Sequence, residues 1–565
     1  MSSGGELDRM RANPRGDGMN KPMEDHRVRR RRTRGWAFAP AVGSIATLCF
    51  VMVALSVVGG PASGAGGPTV VVTNCNAAGP GSLPDAVANA TDGTTITFDM
   101  APACTTIVLT STIDIGRNIS IEGPGAGELA VSGNGAFQVF DVGSDFSTIS
   151  GLTIEDGNAT DGGGIENGGT LTVVDCTLSD NEATSEGGGI YNRGTLSFSG
   201  ALSDNSAVDG GGIYNNSLAG ASEINLTITG TLSGNVATDD GGGLYNFAGT
   251  TSLNDATVSD NTVTSASGAG GGVFNIDTVE INGSTVSGNS SDNGGGIYND
   301  RTLDLTTDTL SGNSAVGDGG GVSNDNVGTT TATWVTLSGN SASHGGGIDN
   351  SGTMSAAATI VADSTTGGDC VGSIGDLGYN LDDDGSCGFS ATDHSLSGIN
   401  PDLGPLQDNG GPTQTQAPAV DSAVLNQIPP HVAGPSGTAL CPRIDQRGVD
   451  GPQGTWCDMG AVELVGSQTI TSADNTTATA GTEFSFTATT TGPPVARLMA
   501  RGQLPPHIRF VDHHNGTATI SGKSQKVGLY KLTITAIWVS GTGRHRVVNR
   551  VNQTFWLTVA ANETA

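Results

Sequence analysis

Gly187-Gly188-Gly189-Ile190-Tyr191-Asn192 is one of eight copies of a single phrase: three glycines, an aliphatic residue, a variable residue, then asparagine. The copies begin at Gly162, Gly187, Gly210, Gly241, Gly270, Gly294, Gly319 and Gly345, in steps of 23 to 31 residues with a mean of about 26. A second phrase, Leu/Val-Ser-Gly/Asp-Asn, runs out of phase with the first. It ends at Asn181, Asn205, Asn235, Asn261, Asn289, Asn313 and Asn340. Fixed glycines and asparagines at a period in the twenties are the signature of a solenoid, where each repeat is one coil stacked on the next. The coil here reads as β, so the fold class is all-β and the body a parallel β-helix.

Within one turn the side chains alternate. Ile190, Asn192, Leu196, Phe198 and Leu202 share one phase and point inward; Tyr191, Thr195, Ser197 and Ser203 share the other and point out. Glycine permits tight corners, and asparagine tolerates left-handed backbone while its amide bonds at turns. Stacked coil on coil, Asn167, Asn192, Asn215, Asn246, Asn275, Asn299, Asn324 and Asn350 are expected to form a structural ladder. Eight turns at roughly 4.8 Å each give a rod segment about 38 Å long.

Two outward columns are candidates for function. The fifth position of the phrase reads Glu166, Tyr191, Tyr214, Tyr245, Phe274, Tyr298, Ser323, Asp349. Its aromatic run, Tyr191, Tyr214, Tyr245, Phe274 and Tyr298, is either a platform for sugar rings or a stack that ties neighbouring turns together. The residue before the triple glycine reads Asp161, Glu186, Asp209, Asp240, Ala269, Asn293, Asp318, His344. Such a line suits Ca²⁺, a hard cation that takes oxygen ligands, but turn chemistry and solubility account for it more simply. Calcium is the sole cofactor these columns suggest.

Charge is unevenly spread. Residues 1–34 carry +5, residues 35–65 nothing, residues 66–465 −41, and the last hundred +5. A body this acidic repels nucleic acid and anionic membranes. The basic run Arg27–Arg34, the apolar stretch Ala41–Val58 and the small residues up to Ala65 read as an export signal. It is a cleaved signal peptide or an uncleaved signal-anchor, the one segment through which a membrane would be met. The rest of the chain is then secreted or held at the cell surface.

Export makes disulfides permissible. Nearness in sequence pairs Cys75 with Cys104, Cys370 with Cys387 and Cys441 with Cys457, although spacing alone leaves connectivity open. Cys176 remains as a buried thiol packing as a small hydrophobe. No cysteine spacing suits a metal. Between Thr69 and Phe98 two strands flank a helix that Ser82 can cap, with Leu83, Val87 and Ala90 on its apolar side. Covering an open solenoid end is the expected use of this segment.

The repeated phrases resemble right-handed parallel β-helix proteins of the bacterial surface, with a looser echo of polymorphic outer-membrane protein repeats. Gly81-Ser82-Leu83-Pro84-Asp85-Ala86-Val87 is similar to the opening that precedes such helices, with Pro84 in the place of an arginine. Three ordered blocks resemble the choice-of-anchor Q module: Gly378–Cys387, Leu403–Thr413, and Asp445–Gly448 with Cys457–Glu463. That resemblance implies a surface or secreted protein and does not imply an enzyme. Asp382-Asp383-Asp384 lacks the terminal glutamate of an EF-hand loop. Beyond Val465 glycine thins and strand-like alternation returns; Leu504–Phe510, Asn515–Gly522 and Gly528–Tyr530 are similar to the Ig-like, cadherin-like modules of bacterial surface proteins.

The expected organisation is therefore a basic region at 1–34, a signal segment at 35–65, a β-helix with its helical cap at 66–360, a choice-of-anchor Q-like module at 361–465, and an Ig-like β-sandwich at 466–565. The expected function is a non-enzymatic scaffold that binds glycans or surface proteins. The alternative is a polysaccharide lyase or glycoside hydrolase, since parallel β-helices host both. A lyase needs a cationic or basic group. Between 105 and 360 only Arg117, Arg193, Arg301 and His344 are available, and Arg193 and Arg301 lie too many turns apart to meet at one bond.

Overall fold

The computed structural model describes residues 67–562, apart from 101–103, 145, 218–223, 435–436, 438, 442–443, 454–455, 466–469, 491–496 and 541–546. The basic region and the signal segment lie outside the described residues. From Thr69 to Ser397 the chain is a parallel β-solenoid. One turn shows the plan: strand Ile190–Asn192, a corner, the long strand Thr195–Ser203, a second corner, and Ser206–Asp209. Stacking equivalent strands builds an 11-stranded face, a 7-stranded face and a 24-stranded sheet. That largest sheet holds two parallel ladders joined where strands such as Thr195–Ser203 run unbroken through a corner. The parallel ladders continue past residue 360 through Cys370–Gly372, Leu381–Asp382 and Leu396–Ser397.

The alternation read from the sequence holds inside the turn. Ile190, Asn192, Leu196, Phe198 and Leu202 are each at most 1% exposed. Corners explain the fixed small residues. The first glycine of each triplet has a left-handed backbone, as at Gly187 with φ 66°, where a side chain is strained. The second is fixed by space instead: a Cβ on Gly188 would lie 2.4 Å from backbone oxygens of Ser206 and Gly211. In the second phrase the residue before asparagine is the left-handed one, with φ 57° at Asp204 and 65° at Gly234. Glycine and aspartate alternate there because both tolerate that region.

The helix Leu83–Ala88 begins at Ser82, whose Oγ accepts from the backbone N–H of Asp85 at 3.2 Å. Pro84 sits in the first turn, where a missing N–H costs nothing. Leu83, Ala86 and Val87 are buried, and the helix lies against Ile113–Ile115, the terminal strand of the 11-stranded face.

After Ser397 the chain turns back along the outside of the solenoid as a strap with little regular structure. Thr413 Oγ1 donates to the Gly283 carbonyl at 2.9 Å, Thr285 Oγ1 to the Gln414 carbonyl at 2.5 Å, and Thr309 Oγ1 to Gln446 Oε1 at 2.6 Å. The Ala461 N–H donates to Thr336 Oγ1 at 3.0 Å. Outward residues Thr285, Thr309 and Thr336 are therefore buried, whereas Thr231 and Thr257 in the same column of earlier turns are half-buried.

The described residues between 470 and 562 form a four-stranded and a three-stranded sheet. The larger runs Asn475–Thr479, Val547–Ala560, Gly528–Ser540, Arg497–Gly502; the smaller runs Phe484–Thr489, Thr517–Gly522, Ile508–Asp512. Ala488, Leu498, Ile520, Leu532, Ile534, Phe555 and Leu557 make one core from both.

Candidate functional site

On the 11-stranded face the pairing places Glu166, Tyr191, Tyr214, Tyr245, Phe274, Tyr298, Ser323 and Asp349 directly over one another. Consecutive ring centroids from Tyr191 to Tyr298 are 5.7, 4.8, 4.6 and 5.0 Å apart. Those separations follow the strand spacing, so the rings turn much of their faces toward each other. Phe247 adds a ring beside the column, 6.0 Å from Tyr214, and is 42% exposed. Outward by pleat does not mean open here. Tyr191 and Tyr214 are buried, while Tyr245, Phe274 and Tyr298 are half-buried. Burial, with nearby carboxylates, pushes the phenols of Tyr214, Tyr245 and Tyr298 up, so they stay neutral donors.

The end of the column at Tyr191 is closed by the chain itself. The Arg193 guanidinium lies 5.6 Å from the Tyr191 ring centre and pairs with Glu166 one turn away. Asn216 Nδ2 donates to the Tyr191 hydroxyl at 3.2 Å. His344 is paired with Asp318 at 2.9 Å.

The acidic column runs alongside. Asp161 Oδ1 accepts from the Glu186 N–H, Asp209 Oδ1 from the Asp240 N–H at 3.2 Å, and Asp240 Oδ1 from the Ala269 N–H at 2.8 Å. Each of these carboxylates thus ties its turn to the next. Burial, then the neighbours Asp240 and Asp239, raises Asp209 to about 7; burial likewise raises Asp240 to about 6.

The phrase asparagines form a continuous buried chain. Nδ2 donates to the next Oδ1 from Asn167 through Asn192, Asn215, Asn246, Asn275, Asn299 and Asn324 to Asn350, at 2.7–2.9 Å. A second chain links Asn181, Asn205, Asn235, Asn261, Asn289, Asn313 and Asn340 at 2.9–3.0 Å. The spacing marks that phrase but does not by itself assign its asparagines this role. The available signal was their invariant place after a left-handed glycine or aspartate.

Disulfides join Cys75 to Cys104, Cys370 to Cys387 and Cys441 to Cys457. The Cys176 thiol is free and buried, and burial raises it to about 11. In the strap, the separated blocks Asp445–Gly448 and Cys457–Glu463 meet in one network. Arg447 donates to Asp445 Oδ2 through Nε and Nη2 at 3.0 and 2.7 Å and to the Glu463 carbonyl at 2.5 Å. Glu463 accepts from the Gln453 and Asp458 N–H groups, and Asp458 from those of Asn426 and Leu464. Gln446 reaches down to the solenoid, donating to the Ser284 carbonyl at 3.0 Å. These motif residues fasten the strap.

Among the described residues no helix is long and apolar enough to cross a membrane, which says nothing of β-barrels. No group of three or more acidic, histidine or cysteine side chains among them is placed to hold a metal ion.

The model of the Chlamydia polymorphic membrane protein (Chlamydia_PMP) repeat matches residues 175–193, which run from one Leu-Ser-Asp-Asn phrase into the next triple glycine. That match and the parallel solenoid fit a β-helix surface protein. No curated protein matches the chain significantly. Among solved structures, a mutant of the PL6-family alginate lyase AlyGC is similar at 13% identity with a TM-score of 0.34, over 62% of this chain and 55% of that one. The chain thus spans about half the length of that lyase, and a likeness of this size carries no inference about activity.

Proposed function

We propose that the chain is an exported surface scaffold, a right-handed β-helix stalk that makes adhesive contacts with glycans or other surface proteins through its aromatic side. The carrying observation is the contrast within one repeat. Its asparagines are buried and bonded to each other, while the neighbouring register line leaves Tyr245, Phe274 and Tyr298 half-exposed with Phe247 standing out beside them. Because ring faces are largely turned inward along the column, contact falls on ring edges, phenol hydroxyls and Phe247. The repeat match at 175–193 supports the surface assignment.

On this reading residues 35–65 direct export as a signal peptide or signal-anchor. The helix Leu83–Ala88 covers the first rung, residues 361–465 act as a choice-of-anchor Q-like closing module, and residues 466–565 are an Ig-like spacer. Three disulfides suit an oxidising compartment. Among the described residues, Arg193 and His344 are each held by a carboxylate on an adjacent turn, far apart along the stack, which speaks for the scaffold over the lyase alternative.

The test is a glycan array and a whole-cell binding assay with residues 66–565, comparing the parent with Phe247→Ala. Loss of binding in the variant, with an unchanged melting transition, is expected. Equal binding by both would remove the aromatic side from the contact. Release of reducing or unsaturated ends from a polysaccharide would replace the scaffold reading with an enzymatic one.

A further inference from the structure

We infer that the outer face of the four-stranded C-terminal sheet docks on the acidic solenoid of a second copy of this chain. Strand register defines that face. Leu498, Leu532, Ile534, Phe555 and Leu557 point into the core between the two sheets, so the residues alternating with them point outward. Arg497, Ile537 and Arg550 form one row across the sheet. Met499 lies in the next row and Arg501 in the one after, and Lys531 and Trp556 sit side by side in the row beyond. Arg497, Met499, Arg501, Lys531, Arg550 and Trp556 are all exposed, and no described part of the same chain covers them.

No outward strand position of this sheet carries a carboxylate. Four cations on one such face make a positive field that an anionic partner offsets. Among the described residues Arg497 alone of the four has an acidic partner, Asp512 Oδ2 of the other sheet at 3.7 Å. Lys531 instead lies 5.5 Å from the Trp556 ring centre. Arginine, methionine and tryptophan are the residues enriched where one protein contacts another. A polyanion alone would use the charges and leave Met499 and Ile537 uncovered, so the face fits an acidic protein surface better.

That surface is present in the chain itself. Residues 66–465 carry −41. Exposed Asp156, Asp180, Asp204 and Asp260 stack along one corner of the solenoid, with Gly234 in the turn between the last two. Repulsion between whole solenoids is screened beyond about 8 Å at physiological ionic strength, whereas charges brought into contact are screened far less. The basic sheet and the acidic corner are different surfaces, so the contact closes as a reciprocal dimer or repeats head to tail.

The test is sedimentation velocity of the 66–565 chain over a range of concentration and salt. Self-association is expected at about 0.1 M salt and its loss at about 1 M, where the screening length falls to about 3 Å. Arg501→Glu combined with Lys531→Glu should weaken it about tenfold or more, and Arg550→Glu, from another strand of the face, should weaken it too. Lys523→Glu combined with Lys526→Glu makes the same change in net charge on the loop before Gly528–Ser540, off the face, and should associate like the parent. Thermal melting checks that each variant keeps its sheets. A chain monomeric at every concentration, equal weakening by the two double variants, or association that survives Arg501→Glu with Lys531→Glu overturns the contact. Retention of a monomeric chain on immobilised polygalacturonate, lost in that same variant, would overturn it in favour of an anionic glycan.

Discussion

Asn275 Nδ2 donates to Asn299 Oδ1 at 2.8 Å, and neither side chain is exposed at all. The same Nδ2 also reaches the Thr302 carbonyl at 2.8 Å, and Asn275 Oδ1 accepts from Asn246 at 2.9 Å. Each amide is thus satisfied only if the turns on both sides are present and in register. A one-residue slip would put every asparagine on the outer face and leave the interior amides without partners.

This makes the ladder most sensitive at its middle. Asn275→Ala removes the bonds to Asn246, Asn299 and the Thr302 carbonyl and takes the acceptor from the Asp277 N–H, in a site closed to water. A loss of about 2–3 kcal/mol is expected, from one to three for each orphaned group. Asn167→Ala, at the first rung of the chain, orphans fewer partners and should cost less. Denaturant unfolding of both variants checks this; equal losses would show that the bonds act singly and not as a chain.

Much of this was legible from spacing. The triple glycine, the asparagine after it and the aliphatic residue between them mark one corner and one strand, and period-two alternation then sorts core from surface. The strap was not legible, because its bonds join residues such as Thr285 and Gln446 that lie 161 positions apart and belong to no repeat. The exposure of the tyrosine line also escaped sequence reading. Pleat direction is written in the register, but Phe247, Arg193 and Asn216, which crowd around Tyr191 and Tyr214, come from neighbouring loop positions. Among the strands of the two C-terminal sheets, Asn475–Thr479 and Arg497–Gly502 gave little signal. They are the outer strands of their sheet, where one side faces no neighbour and apolar alternation weakens.

The acidic column fixes the sign of the pH dependence. Asp209 is raised to about 7 and Asp240 to about 6, both through burial first and nearby carboxylates second. An unfolded aspartate titrates near about 4. The folded state therefore holds these protons more tightly than the unfolded one. Their stabilising contribution is full below about pH 4 and is lost as pH rises through about 7. Melting temperature should accordingly fall between pH 5 and pH 8, by less in Asp209→Asn. A parent and variant with the same slope would show that Asp209 is not raised in solution.

Gln446 gives a local rather than global prediction. It is 2% exposed, accepts from Thr309 Oγ1, and donates to the Ser284 carbonyl and to the hydroxyls of Thr285 and Thr413. One side chain thus joins two solenoid turns to two separate parts of the strap. Gln446→Ala removes these contacts and leaves the buried Thr309 hydroxyl without its acceptor, yet it touches no rung-to-rung bond of either asparagine ladder. Amide exchange should therefore quicken across the strap around Gln414 and Ala461, while the ladder strands Ile190–Asn192 and Val273–Asn275 keep their protection. Peptide-resolved hydrogen exchange distinguishes the outcomes. Uniform loss of protection along the solenoid would mean that the strap is part of its cooperative core, and unchanged exchange in the strap would mean that Gln446 is not what holds it.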